Sequence, residues 1–221
     1  MTRKISIGFA KQLVFALAIL TLGSCATTQV TTHVVGNRYP LCQAQASAQT
    51  ALILWGTAWR DNQKDIALRE KMASRGIAQY FITSSCFSKV EVLKLAAGRE
   101  AVGLSDAETL KFAISTGGQY GNVILVRVEE LGPLLIIHPS PILWEGGTEV
   151  VLRIRVLNVH TSALETDITI HWKNSGAFVL KGTKTLEQDI QAALSSVFGE
   201  TICAANQANT ADRCAPADLF E

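Results

Sequence analysis

Cysteine and histidine have the widest chemical reach in this chain, which holds five of one and four of the other. A thiol can act as a nucleophile, bind a soft metal, form a disulfide or carry an acyl group. Cys25, Cys42, Cys86, Cys203 and Cys214 include no C-x-x-C pair, so the spacing of a zinc knuckle or a thioredoxin-like redox site is missing. His33, His138, His160 and His171 lack the i, i+4 partner that puts two imidazoles on one helix face around zinc. No Gly-x-Ser-x-Gly elbow occurs. Glu129 and Glu130 are adjacent on an expected strand and point to opposite faces, so they form no carboxylate pair by themselves. The glycine-rich stretch Ser115 to Gly121 follows a helical pattern and precedes a strand. A phosphate loop needs the opposite order, so this stretch reads as a helix end and turn. No catalytic residue, metal ligand or cofactor is assigned. Three residues stand out as contact candidates. Trp144 is an aromatic in a loop, able to anchor a partner. Arg60 and Lys64 cluster at the end of the first core strand, where α/β sheets often place ligand sites.

These residues are set in a chain with a distinctive start. Arg3, Lys4 and Lys11 precede a ten-residue run, Leu13 to Leu22, that only Thr21 interrupts. A basic stretch, a short apolar run and small residues make a secretory signal. Ten residues span about 15 Å as a helix, half of a bilayer's hydrocarbon core, so the run is too short to cross. Leu22-Gly23-Ser24-Cys25 resembles the bacterial lipobox. The resemblance implies cleavage before Cys25, diacylglycerol on its sulfur and acylation of the new amino group, palmitate included. Ala26, rather than Asp, follows the cysteine, as in lipoproteins sorted to the outer membrane. The expected location is the periplasm-facing surface of that membrane. Beyond residue 24 the chain keeps 17 basic and 19 acidic side chains, and this near balance gives no reason to expect a nucleic-acid partner. Polar, Thr-rich residues Thr27 to Asn37 read as a tether.

Setting Cys25 aside leaves four cysteines, which in an exported chain favour disulfides with three possible connectivities. Cys203 and Cys214 both follow the last expected helix and would close a short loop, so Cys203–Cys214 is favoured. Cys42–Cys86 then follows by elimination.

The elements that must hold these residues are read from period and punctuation. Ala51 to Trp59 is an apolar run that suits a strand buried on both faces. A turn at Arg60-Asp61-Asn62 leads to a helix with Ile66, Leu68 and Met72 inward, Lys64, Asp65, Arg69, Glu70 and Lys71 in water, and Gly76 at its end. Lys89 to Leu95 alternates as a strand. Ser105 and Glu108 are spaced as a capping box for a second helix. Asn122 to Leu131 is a strand that Gly132-Pro133 should turn. Glu149 to Val159 and Thr166 to Lys173 alternate as an antiparallel hairpin. Leu186, Ile190, Ala193, Leu194 and Val197 form the apolar stripe of a last helix ended by Gly199.

The order β-α-β-α-β-β-β-α predicts an α/β class domain, a single mixed β-sheet with helices packed on it. With the lipobox, this architecture over about residues 50–200 resembles a class of bacterial envelope modules that includes the TolB amino-terminal domain and the lipoproteins LpoB and CsgG. The likeness is architectural and carries over no functional residue. The expected organisation is a signal peptide at 1–24, a lipidated start and tether at 25–49, the domain at 50–200 and a disulfide-stapled tail at 201–221. The expected role is a membrane-anchored, non-catalytic module that binds an envelope protein or self-associates. The alternative is an envelope hydrolase, or a small-ligand or lipid-binding protein. A deep pocket lined by Arg60, Lys64 and His171 would favour that alternative.

Overall fold

Thr50–Thr57 forms strand β2, and every residue from Ala51 to Trp55 is shielded from water. A strand this apolar needs cover on both faces, and the rest of the fold supplies it. The computed structural model describes residues 26–36, 42, 49–84, 86–95, 103–137, 139 and 144–198. Cys25, Cys203 and Cys214, the signal segment and the C-terminal tail lie outside these residues.

Strand β1 covers Thr27–Gly36, helix α1 Ile66–Thr83, β3 Lys89–Lys94, helix α2 Asp106–Ser115, β4 Asn122–Ile137, β5 Trp144–Asn158, β6 Ala163–Ala177 and helix α3 Leu186–Phe198. All six strands join one sheet in the order β1-β6-β5-β4-β2-β3. β2 pairs in parallel with β3 and β4, and the other pairs are antiparallel, so the sheet is mixed and the class is α/β. Helices α1 and α3 lie against one face and each other. Their core includes Ile53, Trp55, Ile124, Val126, Leu152, Ile154, Ile170 and Trp172 from the sheet. Tyr80 and Phe81 of α1 meet Phe198 of α3 at ring-centroid distances of 5.9 and 5.3 Å. Helix α2 covers a smaller cluster on the other face, around Leu52, Leu54, Leu125 and Leu157. Each fully buried apolar side chain of this size contributes ~1.5–3 kcal/mol. The face over β5 and β6 beyond α2 is polar, with Arg153 and Asp167 joined by two hydrogen bonds of 3.1 and 2.7 Å. Among the described residues no helix is long and apolar enough to cross a membrane.

Several boundaries follow local signals closely. The Ser105–Glu108 capping box forms, with the Ser105 amide donating to Glu108 Oε2 at 2.8 Å. Gly117 then takes a positive φ of 75° just past the end of α2.

Four differences have physical causes. Residues 27–36, read as a tether, are an edge strand paired with β6 from Thr27↔Ser175 to Gly36↔Thr166. Thr and Val favour the pleated backbone, and Val34 packs against the core. The folded unit therefore begins well before residue 50. Gly132-Pro133 does not turn the chain; β4 continues to Ile137 with Pro133 opposite Thr148. β2 ends at Thr57, opposite Val128, so β4 has become an edge there, and an edge tolerates a residue with no N–H. Gly76 lies inside α1, not at its end, and a Cβ there would strike Ile190 and the Glu187 carbonyl of α3. Helix α1 also buries Arg69, Ala73, Ile77, Tyr80 and Phe81, while Ile66 and Leu68 are exposed.

Cys42 and Cys86 form a disulfide, their Cα atoms 4.5 Å apart. It ties the segment between β1 and β2 to the chain just past α1.

Candidate functional site

Two constellations gather near the C-terminal ends of the parallel strands. The first centres on Glu130. A bulge between Val128 and Glu130 lets the two adjacent acids go separate ways. Glu129 pairs with Arg127 at 3.1 Å, while Glu130 is buried among groups from the β2–α1 loop and α1. Glu130 Oε1 accepts from Gln63 Nε2 at 2.8 Å, Arg69 Nη1 at 3.1 Å and the Leu131 amide at 3.2 Å. Its Oε2 pairs with Arg60 at 3.0 Å. Arg69 also donates from Nε to the Lys64 carbonyl at 2.7 Å and from Nη1 to the Leu131 carbonyl. Gly132 leaves the room for this; a Cβ there would run into the Arg69 guanidinium. Glu130 thus spends its acceptor capacity on four partners. It clasps loop, helix and strand together instead of offering a free carboxylate.

The second constellation is smaller. Glu70 Oε2 accepts from Lys94 Nζ at 2.6 Å, and Oε1 from Thr57 Oγ1 at 3.1 Å. The Lys94 hydrogen bond, more than any other influence, holds the Glu70 carboxyl below its ordinary titration range. The Lys94 ammonium also sits 5.3 Å from the centre of the Trp55 ring.

Arg60 is therefore brought into a site, but as the exposed member of a clasp. Lys64 contributes its backbone carbonyl, and its side chain is exposed. His171 stands exposed on β6, opposite Val151 and Thr31 on the polar face. These three do not converge on one pocket. Residue types and spacing alone missed Arg69 and Glu130. The one available signal was position: Arg69 falls four residues before Ala73 and eight before Ile77, on the buried row of α1.

Trp144 lies further along the same direction, where β4 and β5 extend past the end of β2. It is half-buried, opposite Ile137 in the β4–β5 pairing. Its ring meets that of Phe178 edge to face at 5.8 Å, and its carbonyl accepts from the Phe178 amide at 3.1 Å. Around it, large apolar side chains stand in water: Leu135 at 57% exposure, Ile137 at 70%, Phe178 at 49% and Leu180 at 81%. The same end holds the start of β1. One row across the strands reads Leu134, Gly147, Ser175, Thr27. β1 forms the outer edge of the sheet and contains no Lys, Arg, Asp, Glu or Pro.

Among the described residues no group of three or more His, Cys, Asp or Glu side chains is placed to hold a metal ion.

No family model and no curated protein matches the chain. Among solved structures, the chain is similar to the PelC dodecamer from Paraburkholderia phytofirmans, at TM-score 0.42 and 14% identity over 76% of this chain and 94% of that one. It is similar to the hypothetical protein CT253 from Chlamydia trachomatis at TM-score 0.40 and 9% identity, over 69% of this chain and 92% of that one. It is also similar to the lipoprotein GNA1162 from Neisseria meningitidis, at TM-score 0.36 and 13% identity over 69% and 99% of the respective chains.

Proposed function

We propose that this protein is an envelope lipoprotein, anchored through acylated Cys25 on the periplasmic side of the outer membrane, whose domain is a non-catalytic docking module. One observation carries the reading: the strand that begins two residues after Cys25 is an uncharged, ten-residue outer edge of the sheet. An edge strand exposes a row of unpaired N–H and C=O groups. Proteins usually guard such edges with charge, proline or a covering element. The other outer strand, β3, follows that rule with Lys89, Glu91 and Lys94. β1 has no Lys, Arg, Asp, Glu or Pro, and among the described residues no element covers its outer edge, which suits it to receive a strand from a protein partner or from a second copy of the chain. The Leu22-Gly23-Ser24-Cys25 sequence supports the anchor, and Ala26 supports the outer-membrane location. The engagement of Glu130 and Glu70 by cations supports a structural role for the charged groups that a hydrolase would need free.

The test combines labelling and crosslinking in intact cells. Labelled palmitate should enter the protein and be lost in Cys25→Ala. A photo-crosslinking residue at Thr31 or His33 should capture one defined protein, whereas the same residue at His160, in the β5–β6 turn, should not. Absence of label removes the anchor; absence of any β1 crosslink removes the docking edge.

A further inference from the structure

We infer that the apolar end of the sheet is a membrane-contacting surface, at which Leu135, Ile136, Ile137, Phe178 and Leu180 enter the lipid interface beside the Cys25 anchor. The inference rests on the lipidation of Cys25 proposed above.

Strand register carries it. Thr27, Ser175, Gly147 and Leu134 lie in one row across four strands. From that row β4 runs on to Ile137 and β6 to Ala177 and Phe178, while β5 begins three residues beyond it at Trp144. β1 enters the row from the same side, because its chain comes from Cys25 through Ala26. Two Cα–Cα steps of ~3.8 Å keep Cys25 within about 8 Å of Thr27. Ile137, three residues past the row, projects about 10 Å in that direction at ~3.4 Å per residue. The width from β1 to β4 is three strand spacings, about 14 Å. A lipid on Cys25 would thus meet the bilayer within reach of these exposed side chains.

The pattern of exposure points to lipid and not to a protein groove. Leu135 and Ile137 project to one side of β4 and Ile136 to the other, and all three are exposed. A protein partner would cover one face, whereas a lipid interface surrounds an end. Polar groups set the depth. Lys173 pairs with Glu145 at 2.9 Å and Ser175 donates to Glu145 at 2.5 Å, so polar chemistry resumes within a residue or two of the tip. β4 has an open edge here, and unpaired backbone groups cannot enter hydrocarbon. Contact is therefore interfacial, the depth that half-buried Trp144 favours. Lys181 and Lys184 follow Leu180 and suit anionic headgroups. An acyl anchor and an apolar tip together give two membrane signals on one end.

The experiment uses the full acylated protein in vesicles of phosphatidylethanolamine and phosphatidylglycerol with brominated acyl chains, which quench tryptophan on contact. Emission should fall relative to unbrominated vesicles, and Trp144→Phe should abolish that fall, since Trp55 and Trp172 are buried and half-buried Trp59 packs against the core beside Glu70. Ile137→Ser with Leu180→Ser, both on exposed positions, should keep the fold and the vesicle attachment but lose most of the quenching. Unquenched Trp144 in protein that carries palmitate and stays on vesicles overturns the inference. So does a crosslink from Ile137 to a second copy or another protein on that tip. Protein without palmitate fails on the anchor instead, a separate result.

Discussion

Arg69 of α1 and Glu130 of β4, far apart in the chain, meet at 3.1 Å in a site where both residues are under a tenth exposed. Arg69 caps the Leu131 carbonyl with the same Nη1 group, and Gly132 makes the space. Burying two ions is offset here by the hydrogen bonds that each of them makes. Arg69→Ala leaves Glu130 buried with its main partner gone, which should cost about 3–5 kcal/mol. Arg60→Ala removes a partner whose side chain is 64% exposed and should cost no more than about 1 kcal/mol. Urea denaturation of the two variants checks the contrast.

Gly132→Ala should be strongly destabilising in the native chain and nearly neutral once Arg69 is Ala. The three atoms nearest to an added Cβ all belong to the pinned guanidinium, so removing it should remove most of the cost. A double-mutant cycle by thermal or urea unfolding measures this coupling.

At Gly76 two effects oppose each other. Alanine improves helix propensity by about 1 kcal/mol. Overpacking against Ile190 and the Glu187 carbonyl costs about 1–3 kcal/mol, and a backbone carbonyl cannot rotate away. Gly76→Ala should therefore lower the melting temperature; an increase would show that α1 and α3 separate easily.

Two acids should give opposite pH slopes. Asp189 of α3 is pushed up, chiefly by burial, although Thr185 Oγ1 lies 3.0 Å from its Oδ2. A raised acid favours the fold most below its ordinary value of 3.8, and that advantage fades as pH climbs through the folded value. Glu70 is held down by Lys94, so its contribution is present above 4.5 and fades as pH falls through its lower folded value. Unfolding free energy followed from pH 3 to pH 7 should lose its Asp189 component in Asp189→Asn and its Glu70 component in Glu70→Gln, with opposite signs.

Reduction of Cys42–Cys86, or Cys42→Ala, should lower stability by about 2–4 kcal/mol, because the bridge limits the unfolded chain. Melting curves with and without reductant test it.

Much of the fold could be read locally. The Ser105–Glu108 box, the alternation of Thr166 to Lys173 and the stripe of α3 are each written within a few residues, and the structure contains each. The candidate site was less legible. Trp144, Arg60 and Lys64 were visible as residue types, but the residues that organise the clasp were hidden by their own chemistry. Arg69 is charged and counts as wet in any periodicity, yet it is buried because Glu130 waits for it across the sheet.

The sequence by itself determined the polar balance and the order of helices and strands from β2 onward, since the elements depend on neighbours within a turn or a strand. Tertiary structure alone decided that residues 27–36 are a strand, that Pro133 stays inside β4, and that one end of the sheet gathers both Thr27 and Ile137. Those outcomes depend on partners such as Thr27↔Ser175, which lie far apart along the chain and meet only when the sheet closes. No local pattern can encode a hydrogen-bond ladder whose other half is written elsewhere.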